Sequence, residues 1–219
     1  SEIPAQRCAG IFLLIERCVI EWWYTPCISH STRRRKMTNP SLPVCLDLLD
    51  SQREAAFAAL NGLSESQIWQ RPAPKEWSIG EILDHNYLLS ASFLPLVRWT
   101  WQSFGWYGRM RRGRPYATEI DDVYRRKNFP MWVGFLWSPR HNPRQPVPLE
   151  TLKAETRELH AKIRAFYTGK DEDVLGNLYL YDPVFGFINL IVTLRIGIYH
   201  DQLHFDDVFK LAQALTTDH

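Results

Sequence analysis

Apolar residues recur at three- and four-residue steps in four separated stretches of the chain, the period of a helix that buries one face. The first stretch, from about Pro43 to Leu60, places Cys45, Leu48, Leu49, Gln52, Ala55, Ala56 and Ala59 on its stripe. Asn61-Gly62 closes it, because glycine takes the left-handed cap without strain. The second opens at Trp77-Ser78-Ile79-Gly80-Glu81, where Ser78 and Glu81 have the spacing of a capping box. Its stripe runs Ile79, Ile82, Leu89, Phe93, Leu96, with His85 level with Leu89, and Pro95 is expected to kink or end the helix. The third spans Pro148 to Tyr167, with Leu149, Leu152, Thr156, Leu159, Ile163 and Phe166 on the stripe and Gly169 as its stop. The fourth is read from Asp182-Pro183, as N-cap and first helical residue, to about Leu215.

Between these stretches, residues 63–76 contain Arg71-Pro72-Ala73-Pro74 and read as an ordered connection. Residues 98–147, rich in Trp, Arg, Gly and Pro, read as a long irregular connection between helices 2 and 3, a length that inside a compact domain is functional or mobile. No stretch sustains a two-residue alternation, so the expected fold is all-α, a four-helix bundle. Residues 1–36 differ from the rest: they end in Ser-Thr-Arg-Arg-Arg-Lys just before Met37. They are expected to lie outside the domain, as upstream translation or a mobile extension, with a small interaction arm built on Trp22, Trp23 and the basic cluster as the alternative. The bundle domain is then 37–219.

Composition narrows the partners. A net charge of +2 is too small to argue for nucleic acid, and 45% hydrophobic with 23% charged residues is ordinary for a globular protein. The apolar run Ile11 to Tyr24 is broken by Glu16, Arg17 and Glu21, which argues against a membrane span. Cysteines 8, 18, 27 and 45 include no C-x-x-C pair and form neither a disulfide framework nor a zinc ribbon; reduced thiols in a cytoplasmic protein are expected. Cys45, the one cysteine within the bundle stretches, has no neighbouring base and reads as a buried inert thiol. No Gly-rich phosphate loop and no G-x-S-x-G elbow is present.

The candidate chemistry lies in the fourth stretch, whose inner stripe reads Asn189, Thr193, Gly197, His200, His204, Val208, Leu211. Four residues turn a helix by about 400°, so His200 and His204 stand one above the other and can share a ligand. Two histidines leave a divalent metal short of the usual three protein ligands, and His85, on the inner stripe of another helix, offers a third. Spacing alone leaves a second reading open, in which the three are separately satisfied core or cleft residues. Asp207 shares the His200 face and Glu81 precedes His85 by one turn, so either can serve as a partner that orients an imidazole; capping already accounts for Glu81, and an exposed last turn is the simpler place for Asp207. Arg109, Arg111, Arg112 and Arg114 follow Trp106 and Tyr107; a solvated loop is the simpler reading, an anion-binding site for a substrate carboxylate or phosphate the alternative.

Trp77-Ser78-Ile79-Gly80-Glu81-Ile82-Leu83-Asp84-His85 resembles the start of the second helix in DinB-like proteins, and Tyr199-His200-Asp201-Gln202-Leu203-His204 resembles the histidine pair in their last bundle helix. The likeness covers approximately residues 40–215. It implies an up-down-down-up four-helix bundle of the DinB-like and YfiT-type superfamily. It also implies one divalent metal, zinc, nickel or iron, held by His85, His200 and His204 with positions left open. The function it implies is thiol-dependent S-transfer, with a low-molecular-weight thiol as co-substrate, or metal-assisted hydrolysis of a small molecule. The competing expectation is a non-catalytic, metal-stabilised bundle that binds or senses a small molecule. Homodimers are common among related bundles.

Overall fold

The computed structural model describes residues 40–120, 136–140 and 145–217. The extension expected at 1–36 lies outside the described residues. Among the described residues, six helices and one two-stranded hairpin form in the order α1 (Leu42–Ala59), α2 (Glu65–Ile68), α3 (Ile79–Met110), α4 (Leu149–Tyr167), α5 (Glu172–Gly176), β1 (Tyr179–Asp182), β2 (Gly186–Asn189) and α6 (Leu190–Thr217). The chain is mostly helical, as expected, and no helix among the described residues is long and apolar enough to cross a membrane.

The helix starts follow from local chemistry. Ser78 accepts from the Glu81 amide and the Glu81 carboxylate takes the Ser78 amide, so two of the amides at the start of α3 are satisfied. The same reciprocal pair, Ser64 with Gln67, opens the short α2. The stripe of α1 is rotated from the expected one: Leu48 and Ala55 are exposed, whereas Leu46, Arg53 and Phe57 are buried beside Cys45, Leu49 and Ala56. In the same way Leu83, Leu94 and Val97 are buried on α3, while Leu96 is exposed.

Two expectations about boundaries are corrected. Pro95 does not end α3, which runs 32 residues in all, from Ile79 to Met110, so the irregular connection begins at Arg111 and not at residue 98. Pro95 is exposed, so its turn lies on the solvent side, and the buried Leu94 and Val97 beside it hold the helix to the core across the missing backbone bond. The last helix starts at Leu190 and not at Asp182. Asp182 caps a turn instead: its Oδ1 accepts the amides of Val184 at 2.7 Å and Phe185 at 2.8 Å, and it pairs across the hairpin with Gly186, whose φ of 75° suits glycine. Asn189 caps α6, accepting from the Val192 amide at 2.9 Å.

Two apolar clusters fill the interior. One gathers Leu42, Leu46 and Leu49 with Leu94, Val97, Ile163, Leu190, Leu194 and Ile198. The other gathers Ala56, Phe57, Ile79, Leu83, Leu149, Leu152, Phe205 and Val208. Where the clusters meet, every long helix turns polar while staying buried: Arg53 on α1, Asp84, His85 and Asn86 on α3, Thr156 and His160 on α4, His200, Asp201 and His204 on α6. Burying that many polar groups is costly unless they find partners, so this belt is where chemistry is to be sought.

Candidate metal centre

His85 lies in the second turn of α3, placed by the capping box, and His200 and His204 lie one turn apart on α6. All three are buried, 2%, 6% and 6% exposed in that order. Their ring centroids are 4.5 Å apart for His200–His204, 4.9 Å for His85–His204 and 5.1 Å for His85–His200. One ring nitrogen from each lies within 4.8 Å of the others, so the cluster could hold a metal ion. A tetrahedral zinc bonded at about 2.0–2.1 Å keeps its nitrogens roughly 3.3–3.4 Å apart. The Nε2 atoms of His85 and His200 stand at 3.2 Å, a hydrogen bond whose length is close to that spacing. The Trp77 ring closes one side, 4.8 Å from His85 and 6.3 Å from His204.

Protonation favours the same use. Burial pushes the pKa of His85 down, and burial together with the neighbouring imidazoles pushes His200 and His204 well below the usual histidine value. The three rings are therefore neutral at pH 7, the form that offers a lone pair to a metal. The His85 tautomer follows from its other bond. Nδ1 lies 2.7 Å from the Trp137 carbonyl, which can only accept, so the proton sits on Nδ1 and the Nε2 lone pair faces the cluster.

The remaining residues singled out in the sequence are not brought to this cluster. Glu81 spends its carboxylate on the Ser78 amide and hydroxyl and on the Arg71 guanidinium. Asp207 is exposed and bonds Lys210 at 3.0 Å. Asn189 and Thr193 are used at the start of α6, Asn189 as its cap and Thr193 through its hydroxyl to the Asn189 carbonyl. Arg109, Arg111, Arg112 and Arg114 sit at the far end of α3, about 36 Å along the helix from His85 at 1.5 Å per residue. Among them Arg112 pairs with Asp171 at 2.6 Å and Arg111 reaches the Tyr107 hydroxyl at 3.2 Å, the behaviour of a solvated surface. Cys45 is buried and burial raises its pKa, as suits an inert thiol.

Other residues of the belt carry no obvious signal in the sequence. Asp84, fully buried beside His85, is taken by Arg140 through its backbone amide, Nε at 3.0 Å and Nη2 at 2.8 Å. Asp201 stands 3.5 Å from His160 Nε2 and 3.9 Å from His200 Nδ1. Acids next to the histidines, Asp84-His85 and His200-Asp201, were the available hint. His160, four residues after Thr156, also fits the buried face of α4.

A comparison with curated proteins finds none that matches the chain. The family model of the DinB superfamily matches residues 48–207, more than half of the chain and all three clustered histidines, and the chain therefore belongs to the DinB superfamily.

Proposed function

We propose that the protein is a metal-dependent enzyme of small molecules, with His85, His200 and His204 as the three protein ligands of one divalent ion. The observation that carries this reading is the meeting of three neutral, buried imidazoles from two helices within 4.8 Å. One hydrogen bond of 3.2 Å joins His85 Nε2 to His200 Nε2, and a cation between three such rings would engage all three lone pairs at once. Three imidazoles suit zinc, nickel or ferrous iron. Such an ion supplies Lewis acidity toward a thiol or a water molecule. The chain's residues supply the setting: the Trp77 ring walls the cluster, the Trp137 carbonyl holds the His85 proton on Nδ1, and the apolar clusters above and below limit water. The superfamily resemblance favours thiol-dependent S-transfer over hydrolysis.

We also infer an up-down-down-up course for the four long helices. It is supported by the order in which each meets the apolar clusters: α1 and α6 run from the Leu42 cluster to the Ala56 cluster, α3 and α4 the other way. A cytoplasmic setting goes with the free, buried Cys45 thiol.

The slight exposure of the histidines favours a second reading, a non-catalytic bundle in which the metal stabilises a small-molecule pocket. Metal analysis of the purified protein and of His200→Ala tests the shared premise: equal trace metal in both removes it. A screen of low-molecular-weight thiols against an electrophilic acceptor then separates the two. Metal-dependent turnover supports the enzyme, and its absence with every thiol tried supports the binding bundle.

A further inference from the structure

The His85 ring is held from outside its own helix. Its Nδ1 bonds the carbonyl of Trp137, in the short described segment 136–140 of the connection between α3 and α4. That segment has little regular structure of its own, so something must keep the carbonyl in place. Arg140 does most of this. It meets the buried Asp84 carboxylate with its backbone amide and two guanidinium nitrogens, lies over the Tyr87 ring at 4.8 Å, and reaches Glu155 of α4 at 3.2 Å. At the segment's other end the Trp137 indole donates to Ser92 Oγ at 2.7 Å and stacks on Phe93 at 5.8 Å. Two guanidinium nitrogens converge on Asp84 Oδ1 while the Arg140 backbone amide takes Oδ2, so one carboxylate fixes the side chain and also orients the peptide chain itself.

We propose that Asp84 and Arg140 form a latch that positions His85 as a metal ligand: the pair pins segment 136–140 to α3, so that the Trp137 carbonyl keeps the proton on Nδ1 and leaves Nε2 facing His200 and His204. Asp84 lies next to His85 in sequence; besides the direct pull of its charge on the imidazole, it acts on the ring through this loop. The inference rests on the metal reading for its consequence in affinity, but not for its consequence in the tautomer. Carbonyl or carboxylate partners on the outer nitrogen of a metal-bound histidine typically account for about 10–100-fold in metal affinity.

The test uses the full chain with Arg140→Gln, Asp84→Asn and Arg140→Lys, and with Arg157→Gln as a control that breaks a different exposed pair, 2.9 Å to Glu54 on α1. Zinc affinity is read by competition with a chromogenic chelator, and the His85 tautomer by imidazole 15N NMR on the metal-free protein. The latch predicts an Nδ1–H tautomer in the wild type. Arg140→Gln and Asp84→Asn lose that single tautomer and weaken zinc about 10–100-fold. Arg140→Lys, which keeps the charge but not the fork, falls between, and Arg157→Gln changes neither. Arg140 is 40% exposed, so its glutamine variant carries the test should Asp84→Asn fail to fold. An Nε2–H tautomer in the wild type, or wild-type tautomer and affinity in folded Arg140→Gln, overturns the latch. A wild type that binds no zinc yet shows the Nδ1–H tautomer, lost in Arg140→Gln, upholds the latch and removes the metal reading alone.

Discussion

Two buried polar groups lie side by side in the belt of the bundle, and they differ in kind. The His85, His200 and His204 imidazoles are alike: all are neutral bases, and two of them share a 3.2 Å hydrogen bond between Nε2 atoms. Asp201 and His160, from α6 and α4, are opposites, an acid and a base 3.5 Å apart, with the Arg53 charge also acting on both. The second group holds one acid, with the Arg53 guanidinium as the permanent charge that acts on it. The first holds three bases and no acid of its own, with the Asp201 carboxylate 3.9 Å from His200 Nδ1, and the proposed metal reading rests on that difference. Burial alone does not separate them, since every member of both groups is buried.

The largest expected effect breaks the comparison if it fails. His204→Ala should weaken zinc by more than about 100-fold, beyond what the loss of an outer partner costs, whereas His160→Ala should keep affinity within a few-fold. Isothermal titration on both variants decides it, and equal losses would mean that the two groups act as one site. Metal removal comes next. With zinc at 100 times its Kd the folded state gains about 2.7 kcal/mol, so chelation should lower Tm by roughly 5–10 °C for a domain of this size. His160→Ala should retain that shift and His204→Ala should lose it.

Asp201 responds to acid oppositely to the four buried histidines. His85, His160, His200 and His204 all have folded pKa values pushed below the ordinary histidine value, chiefly by burial. The unfolded chain then takes up protons that the folded chain refuses. Metal-free protein is therefore most stable above the unfolded histidine pKa of about 6.5 and loses up to about 1.4 kcal/mol per pH unit per histidine below it. Burial pushes Asp201 the other way, up to about 6. Its contribution is full below the ordinary aspartate pKa and is lost as pH rises through about 6. Asp201→Asn should consequently steepen the acid-side decline between pH 6 and pH 4, by at most about 1.4 kcal/mol per unit. Denaturant midpoints across that range, with chelator present, measure both slopes; parallel curves would show that Asp201 does not titrate against the histidines.

The histidine cluster was legible in the sequence because its spacing, capping and family likeness converge on the same helices. Ser78 and Glu81 set where α3 begins and so which way His85 faces, and the four-residue step stacks His200 on His204. The partners of the cluster were not legible, for a physical reason: the Trp137 contact is a backbone carbonyl, which every residue has and no side chain advertises. Local rules also misled in two places. Asp182-Pro183 has the chemistry of a helix start, but the same aspartate oxygen serves a turn equally well, and the hairpin takes it. Pro95 has the chemistry of a helix end, but burial of Leu94 and Val97 outweighs one lost backbone bond.

The smallest expected effect sharpens where the site stops. Asp207 lies seven residues after His200, about 700° of rotation, so helix arithmetic puts it within about 20° of the same face. The long helix nevertheless outruns the bundle's polar belt: Val208 and Ala212 pack into the Ala56 cluster, while Asp207 stays at the surface with Lys210. An exposed pair at this spacing contributes about 0.3–0.5 kcal/mol. Asp207→Asn should thus shift stability by no more than that and leave zinc affinity and the His200 NMR signals unchanged. A several-fold loss of affinity in a stably folded Asp207→Asn protein would instead extend the site by two turns beyond His200, and would make the angular position of a residue on α6 a better guide to the metal than its burial.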